Sequence, residues 1–298
     1  MSSTWLVGAP AALVAAAFFG AAGVLQHQAA RSVPERVPLR VGLLVQLVRI
    51  PGFRYGVICA ALGFGLQILA LHAAPLPVVQ PILVTGVLFY LLWGTLFLDR
   101  PVDPKLVLGA LLALAGLSGF LVVASPTAGT SNISGVAVLP LSIALAGVVV
   151  ICLAVAARTH SENRSIPFAI ATAVFYGVTA GLVRSLVTQP YDGVGGLFTH
   201  WQLYAIAVVG PLGFLLNQNA FQEGVVGSVA VGIITVGDPM VSIGLGVAWF
   251  GDRLTEGPAA VTGQVLLLIL MTGGIVILTH RANLMALAIR ESSDRETT

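Results

Sequence analysis

The chain is built from repeated apolar runs of about 20 residues, the length an α-helix needs to cross the ~30 Å hydrocarbon core of a bilayer. The windows fall at residues 6–27, 53–72, 76–98, 105–124, 135–157, 166–187, 202–221, 225–250 and 259–279. Lipid offers no partner to an unpaired backbone group, so runs of this length have one economical solution, the helix. The expected fold is therefore an all-α polytopic membrane protein with about nine transmembrane helices. Only 9% of the residues are charged, far below the roughly 25% of a soluble domain. The 34 glycines and 16 prolines fit helices that approach closely in lipid better than they fit loops.

An odd number of spans puts the termini on opposite faces, and the basic residues choose between the two orientations. With the N-terminus outside, Arg31, Arg36, Arg40, Arg49, Arg54, Arg100, Lys105, Arg158, Arg164, Arg281, Arg290 and Arg295 all lie inside, leaving only Arg184 and Arg253 outside. That asymmetry predicts an N-out, C-in protein of the plasma (inner) membrane. The first run extends to Leu25 with no basic residue before it, so it reads as a retained span and not a cleaved signal. Two stretches, 39–49 and 187–201, are too short to cross and are expected to be interfacial or re-entrant. The polar segment after Arg281 reads as a solvated cytoplasmic tail.

Phe18-Phe19-Gly20 resembles Phe175-Tyr176-Gly177, and Leu98-Asp99-Arg100-Pro101 resembles Gly251-Asp252-Arg253-Leu254. The separations, 157 and 153 residues, keep nearly one register across half the chain. The expected organisation is a first membrane repeat at 1–130, a connecting helix at 131–160, a second repeat at 161–280 and the tail at 281–298. Corresponding helices lie five spans apart, so the two four-helix repeats are expected to be inverted. Inverted repeats are characteristic of secondary transporters, whose substrate site lies near the midplane between the halves.

At these residues the chain resembles the drug/metabolite transporter superfamily. In that superfamily each half has a helix ending in a short acidic-basic turn, followed by a Gly-rich last helix. Here the turns are Leu98-Asp99-Arg100, with Gly109 and Gly116 following, and Phe250-Gly251-Asp252-Arg253, with Gly263 and Gly273-Gly274 following. The family's proline, thirteen residues before the acid, is present as Pro239; the first half has Gly86 there, with Pro81 five residues earlier. The nine-span count and Pro75-Leu76-Pro77-Val78-Val79-Gln80-Pro81 are more similar to the NIPA-type magnesium transporter branch than to the ten-span EamA-type branch. The resemblance implies transport and leaves the cargo open.

Asp238 is the one acidic residue in the middle of a long apolar run, where a charge costs several kcal/mol unless it is paired, hydrated or protonated. Pro239 cannot donate to the Thr235 carbonyl, so a kink, a free acceptor and the Thr235 hydroxyl are expected within one turn of the carboxylate. Such a cluster suits a proton or a hard cation, and the alternative is an Asp that fixes helix packing. Gln67, Gln80 and Asn217 are candidate cavity-lining amides, against interhelical hydrogen bonding. In the triplet Asn217-Gln218-Asn219 the side chains must point in different directions. Arg184 either snorkels to the headgroups or meets an anionic group of a substrate. His27 is expected to be interfacial and Glu223 solvated. Cys59 and Cys152 read as structural filler.

No catalytic, metal-cluster or phosphate-loop motif is present in the sequence, so an enzyme is not expected and no cofactor is called for. The leading expectation is proton-coupled export of a small solute by alternating access. The alternatives are a NIPA-like divalent cation transporter, in which Asp238 would be the metal ligand, and a non-transporting lipid- or partner-binding membrane component. The expected partners are a small-molecule or ion substrate and the bilayer. Nucleic acid is not among them, and a homodimer is left open.

Overall fold

The computed structural model describes residues 5–33, 42–73, 79, 82–98, 103–127, 129, 133, 138–159, 164–187, 195–196, 198–223 and 227–296. Ten named helices run in chain order: α1 (Trp5–Ser32), α2 (Gly42–Val48), α3 (Pro51–Ala73), α4 (Gly86–Leu98), α5 (Pro104–Ala124), α6 (Val138–Arg158), α7 (Ser165–Val187), α8 (Trp201–Glu223), α9 (Gly227–Phe250) and α10 (Pro258–Glu296). Among the described residues eight helices are long and apolar enough to cross a membrane. The protein is all-α and polytopic. Its exterior confirms the class: Ile58, Leu62 and Phe64 on α3, Ile143 and Ile151 on α6, and Leu266 and Ile269 on α10 are exposed, an arrangement that only lipid makes favourable.

Two details go beyond the apolar windows. Within the run at 76–98 a single-residue turn at Thr85 lies between Ile82–Val84 and α4, and Ile82–Phe97 together make one shorter apolar helix. Hydropathy sees only the apolar run and is blind to a break whose side chain is as small as Thr85. The segment after Arg281 is helical, α10 continuing as one helix to Glu296. The stretch Ala282-Asn283-Leu284-Met285-Ala286-Leu287-Ala288 is dominated by good helix formers, and propagating an existing helix needs no new nucleus.

Five close helix pairs organise the interior: α1 lies on α3 and α4, α7 lies on α8 and α9, and α5 lies on α10. Glycines mark the closest approaches. A Cβ at Gly20 would sit 2.6 Å from the Phe89 Cβ of α4, and one at Gly177 would sit 2.6 Å from the Val241 Cβ of α9. A Cβ at Gly116 would meet the Met271 backbone N at 2.5 Å and the Leu267 carbonyl at 2.7 Å, so α5 and α10 touch backbone to backbone. α6 rests on the outside of α7, and α1 meets α8 across the centre.

The ends of the bundle are tied by polar contacts. Asp103 caps α5 by accepting from the Lys105 amide at 2.8 Å and from the Leu106 amide at 3.3 Å, and also takes a 2.6 Å contact from Arg281 of α10. At the other end of α5 the chain pairs with the α9–α10 connection. Thr127 and Arg253 exchange backbone hydrogen bonds at 2.9 and 3.1 Å, and the Thr255 amide donates to the Ala124 carbonyl at 2.8 Å. Gly251 enables the turn into this clip by adopting a φ of 66°.

Candidate functional site

A cavity of ≈ 330 Å³ lies at the centre of the bundle, walled by α1, α3, α4, α7, α8 and α9 and by the helical turn before α4. Asp238 and Thr235 of α9, Gln67 of α3 and Asn217 of α8 all line it. Residue 238 is about 17 Å along a helix of about 36 Å at 1.5 Å per residue, so the carboxylate sits near the middle of its span. Its Oδ1 accepts from the Ser242 hydroxyl at 3.2 Å, leaving most of its acceptor capacity unused by that bond.

Both helix irregularities open onto this space. In α9, Pro239 has no N–H to give the Thr235 carbonyl, and both residues line the cavity. Before α4, Thr85 folds back on itself, its hydroxyl donating to the Ile82 carbonyl at 2.5 Å, and the adjacent Gly86 lines the opposite wall. Gly86, next to the turn at Thr85, and Pro239, inside the continuous helix α9, thus line one space, together with the aromatic residues Phe19, Tyr176, Phe214 and Phe221.

Among the remaining candidates, Gln80 lies outside the described residues. Arg184 is not part of the cavity. Its guanidinium grips Asp252 through Nη1–Oδ2 at 2.5 Å and Nη2–Oδ1 at 2.8 Å, and its Cζ lies 4.4 Å from the centre of the Phe250 ring. Its partner is a carboxylate 68 residues further on, a pairing that sequence spacing does not reveal. Burial pushes the Asp252 carboxyl up, but the Arg184 hydrogen bonds and the Gly129 amide outweigh it and hold the group below the usual carboxylate range. Asp103 behaves in the same way, burial being outweighed by Arg281 and the two capping amides.

Two further residues are misplaced by the sequence reading. His27 is not interfacial but fully buried, with its Nδ1 3.1 Å from the Tyr90 hydroxyl and its ring edge-on to Phe221. Glu223 is not solvated; it is 3% exposed and lies 3.7 Å from Arg164. Each stands near a helix end, and proximity to an end says nothing about which face turns inward. The amide triplet divides three ways. Asn217 faces the cavity, the Gln218 Nε2 donates to the Gln26 Oε1 at 2.9 Å, and the Asn219 Nδ2 returns to the Leu215 carbonyl at 2.7 Å.

The sequence reading passed over Gln26 and Tyr176, which also line the cavity. The Tyr176 phenol faces Asn217 and is within electrostatic reach of Asp238. A signal for Tyr176 was available, since it is the middle residue of the repeated Phe175-Tyr176-Gly177 triplet. Gln26 had none beyond being an amide in an apolar helix.

Fold and cavity together define an all-α, multi-pass membrane protein with a largely apolar cavity that holds one carboxylate near the middle of α9. No protein-family model matches the chain, and no solved structure matches it. It is 24% identical over 233 residues, 77% of its own length and 80% of the other's, to an uncharacterized protein of Corynebacterium glutamicum.

Proposed function

We propose that the protein is a secondary transporter of the drug/metabolite type, built from two inverted four-helix repeats joined by α6, that exports a small solute in exchange for protons bound at Asp238. The observation that carries this reading is the makeup of the cavity wall. Residues on corresponding helices of the expected repeats line it: Phe19 and Tyr176, Gln67 and Asn217, and Gly86 and Pro239. Equivalent helix pairs also close on equivalent glycines, Gly20 on α4 and Gly177 on α9. A chamber between two halves, with a proline in the helix that carries its carboxylate, fits an alternating-access carrier.

The chamber lies beside the first half of α9, from Val231 to Pro239. Beyond it, the Arg184–Asp252 pair and Phe250 close the far end of that helix.

Among the described residues no three His, Cys, Asp or Glu side chains gather as a metal site. A lone carboxylate between aromatic walls is a thin ligand set for a divalent ion that prefers several oxygens. A lipid-binding role would draw on Arg184 as the cation for a headgroup, and that side chain is held by Asp252.

The test is flux. In everted membrane vesicles energised acid inside, a transported solute from a panel of amines, amino acids, sugar phosphates and magnesium collapses the pH gradient, as read by a pH-sensitive dye. The Asp238→Asn variant, verified as folded by gel filtration, is expected to abolish the collapse. Undiminished coupled flux in that variant removes Asp238 from the mechanism.

A further inference from the structure

We infer that the central cavity takes a small organic cation, an amine with an apolar or aromatic body, whose ammonium group sits at Asp238. The inference rests on reading this cavity as the substrate site and names the chemical class that the site selects.

Charge is the first argument. Among the described lining residues Asp238 is the one acid, and none is lysine, arginine or histidine. The neighbouring cations are engaged elsewhere: Arg184 with Asp252, Arg164 with Glu223 and Arg281 with Asp103. A phosphate or carboxylate entering this space would meet no countercharge and would be repelled by Asp238, a combination that costs several kcal/mol in a poorly hydrated site. An ammonium meets the opposite situation.

Hydrogen-bond inventory is the second. An ammonium brings three donors and no acceptor. The site supplies a carboxylate whose one described partner is Ser242, the Thr235 carbonyl that Pro239 leaves without its helical donor, and the amide oxygens of Gln67 and Asn217. A spherical metal ion would need most of these at once at short range. An ammonium needs three, at ordinary hydrogen-bond distances.

The walls are the third. Phe19, Tyr176, Phe214 and Phe221 come from three different helices and surround the space. Aromatic faces attract a cation and bury an apolar body, whereas a hydrated ion gains nothing from them. A volume of ≈ 330 Å³ lies at the small end of ligand cavities, about 300–1,000 Å³, which limits the body to roughly one ring or a short chain.

Proton and amine then compete for one carboxylate, which is the exchange a coupled carrier needs. The titratable group facing Asp238 is Tyr176 of α7; α1, α3, α4 and α8 present Phe19, Gln67, Gly86 and Asn217, all neutral. Binding should therefore weaken as pH falls from mildly alkaline to mildly acidic, because protonation removes the charge that holds the ammonium.

The experiment is calorimetric titration of the full-length protein in detergent with 2-phenylethylamine, and with phenylacetate, phenylalanine and magnesium chloride as comparators. The amine is expected to bind, more weakly at acid pH, with the comparators silent. Asp238→Asn should weaken binding by ~10-fold or more and Asp238→Glu should restore part of it. The pH series on the unaltered protein decides the matter if the variants do not fold. Phenylacetate or phenylalanine binding as well as the amine, no amine binding at millimolar concentration, or amine affinity indifferent to both pH and Asp238→Asn would each overturn the inference. Amine that binds but collapses no gradient in vesicles overturns the transport reading and leaves this one standing. Gradient-coupled flux of an anion does the reverse.

Discussion

The Arg184–Asp252 pair offers a quantitative test of the structure. Two charge-assisted contacts, at 2.5 and 2.8 Å, join side chains that are 33% and 11% exposed. Exposed pairs are worth about 0–1 kcal/mol, and removing one partner of a buried pair costs about 3–5. The intermediate burial sets Arg184→Gln at about 2–3 kcal/mol. Asp252→Asn should cost less, about 1–2 kcal/mol, because its side-chain oxygen can still accept from the Gly129 amide, which approaches to 2.6 Å. If the two residues act through one another, the double variant costs about as much as Arg184→Gln alone, a coupling of about 1–2 kcal/mol. At roughly 2–4 °C per kcal/mol for a chain of this size, Arg184→Gln lowers the melting midpoint by about 4–12 °C. A thermal ramp in detergent with a thiol-reactive dye reads this through the buried Cys152. Single effects that add to within about 0.5 kcal/mol, or an Arg184→Gln variant that melts normally yet fails in flux, would refute the clasp and return Arg184 to the substrate.

Other consequences are equally open to measurement. Gly116→Ala forces a methyl to 2.5 Å from the Met271 N and should destabilise by about 1–3 kcal/mol. Gly273→Ala, where a Cβ meets nothing within 4 Å, should be neutral or stabilising by up to about 1 kcal/mol; equal melting of the two would deny the α5–α10 contact. Asp238→Asn should leave the melting midpoint unchanged or raise it, since it removes a charge from mid-span; a fall of several degrees would make Asp238 a packing residue. Asp103 and Asp252 are both held below the usual carboxylate range, so their contribution is complete above the unfolded value of about 4 and is lost as pH falls through the lower folded one. The melting midpoint should therefore owe these pairs no change between about pH 7 and 5, and should fall below about 4; loss of the Arg184→Gln difference already near pH 6 would contradict this.

What hydropathy could reach was the positions of the spans. The windows at 166–187 and 202–221 differ by at most two residues from Ser165–Val187 and Trp201–Glu223, because in lipid the length of an apolar run is itself the physical constraint. Asp238, Thr235, Gln67 and Asn217 were nameable for a related reason: a polar group in an apolar run stands out wherever it points. Their convergence on one cavity was not readable, since it depends on the rotation of three helices about their own axes, and these helices are apolar around most of the circumference. The same blindness misplaced His27 and Glu223. Arg184 illustrates a further limit, because its partner is supplied by the turn after another span, and Thr85 another, because its break is a local hydrogen-bond choice within an uninterrupted apolar run.

The seam between α5 and α10 also bears on how the molecule is made. Gly109 and Gly116 form a bare strip on α5 whose intended cover, from Leu267 to Leu278, is synthesised only after four further spanning helices. During that interval the strip faces lipid, a neighbour it can tolerate because helices in a bilayer carry their backbone hydrogen bonds within themselves. Insertion of α5 and its burial are thus separate events, and α10, which leaves the ribosome well after α5, completes a surface laid down much earlier in the chain. A nascent protein stopped before Pro258 would hold most of its spans and yet lack the partner on which the end of its first half closes.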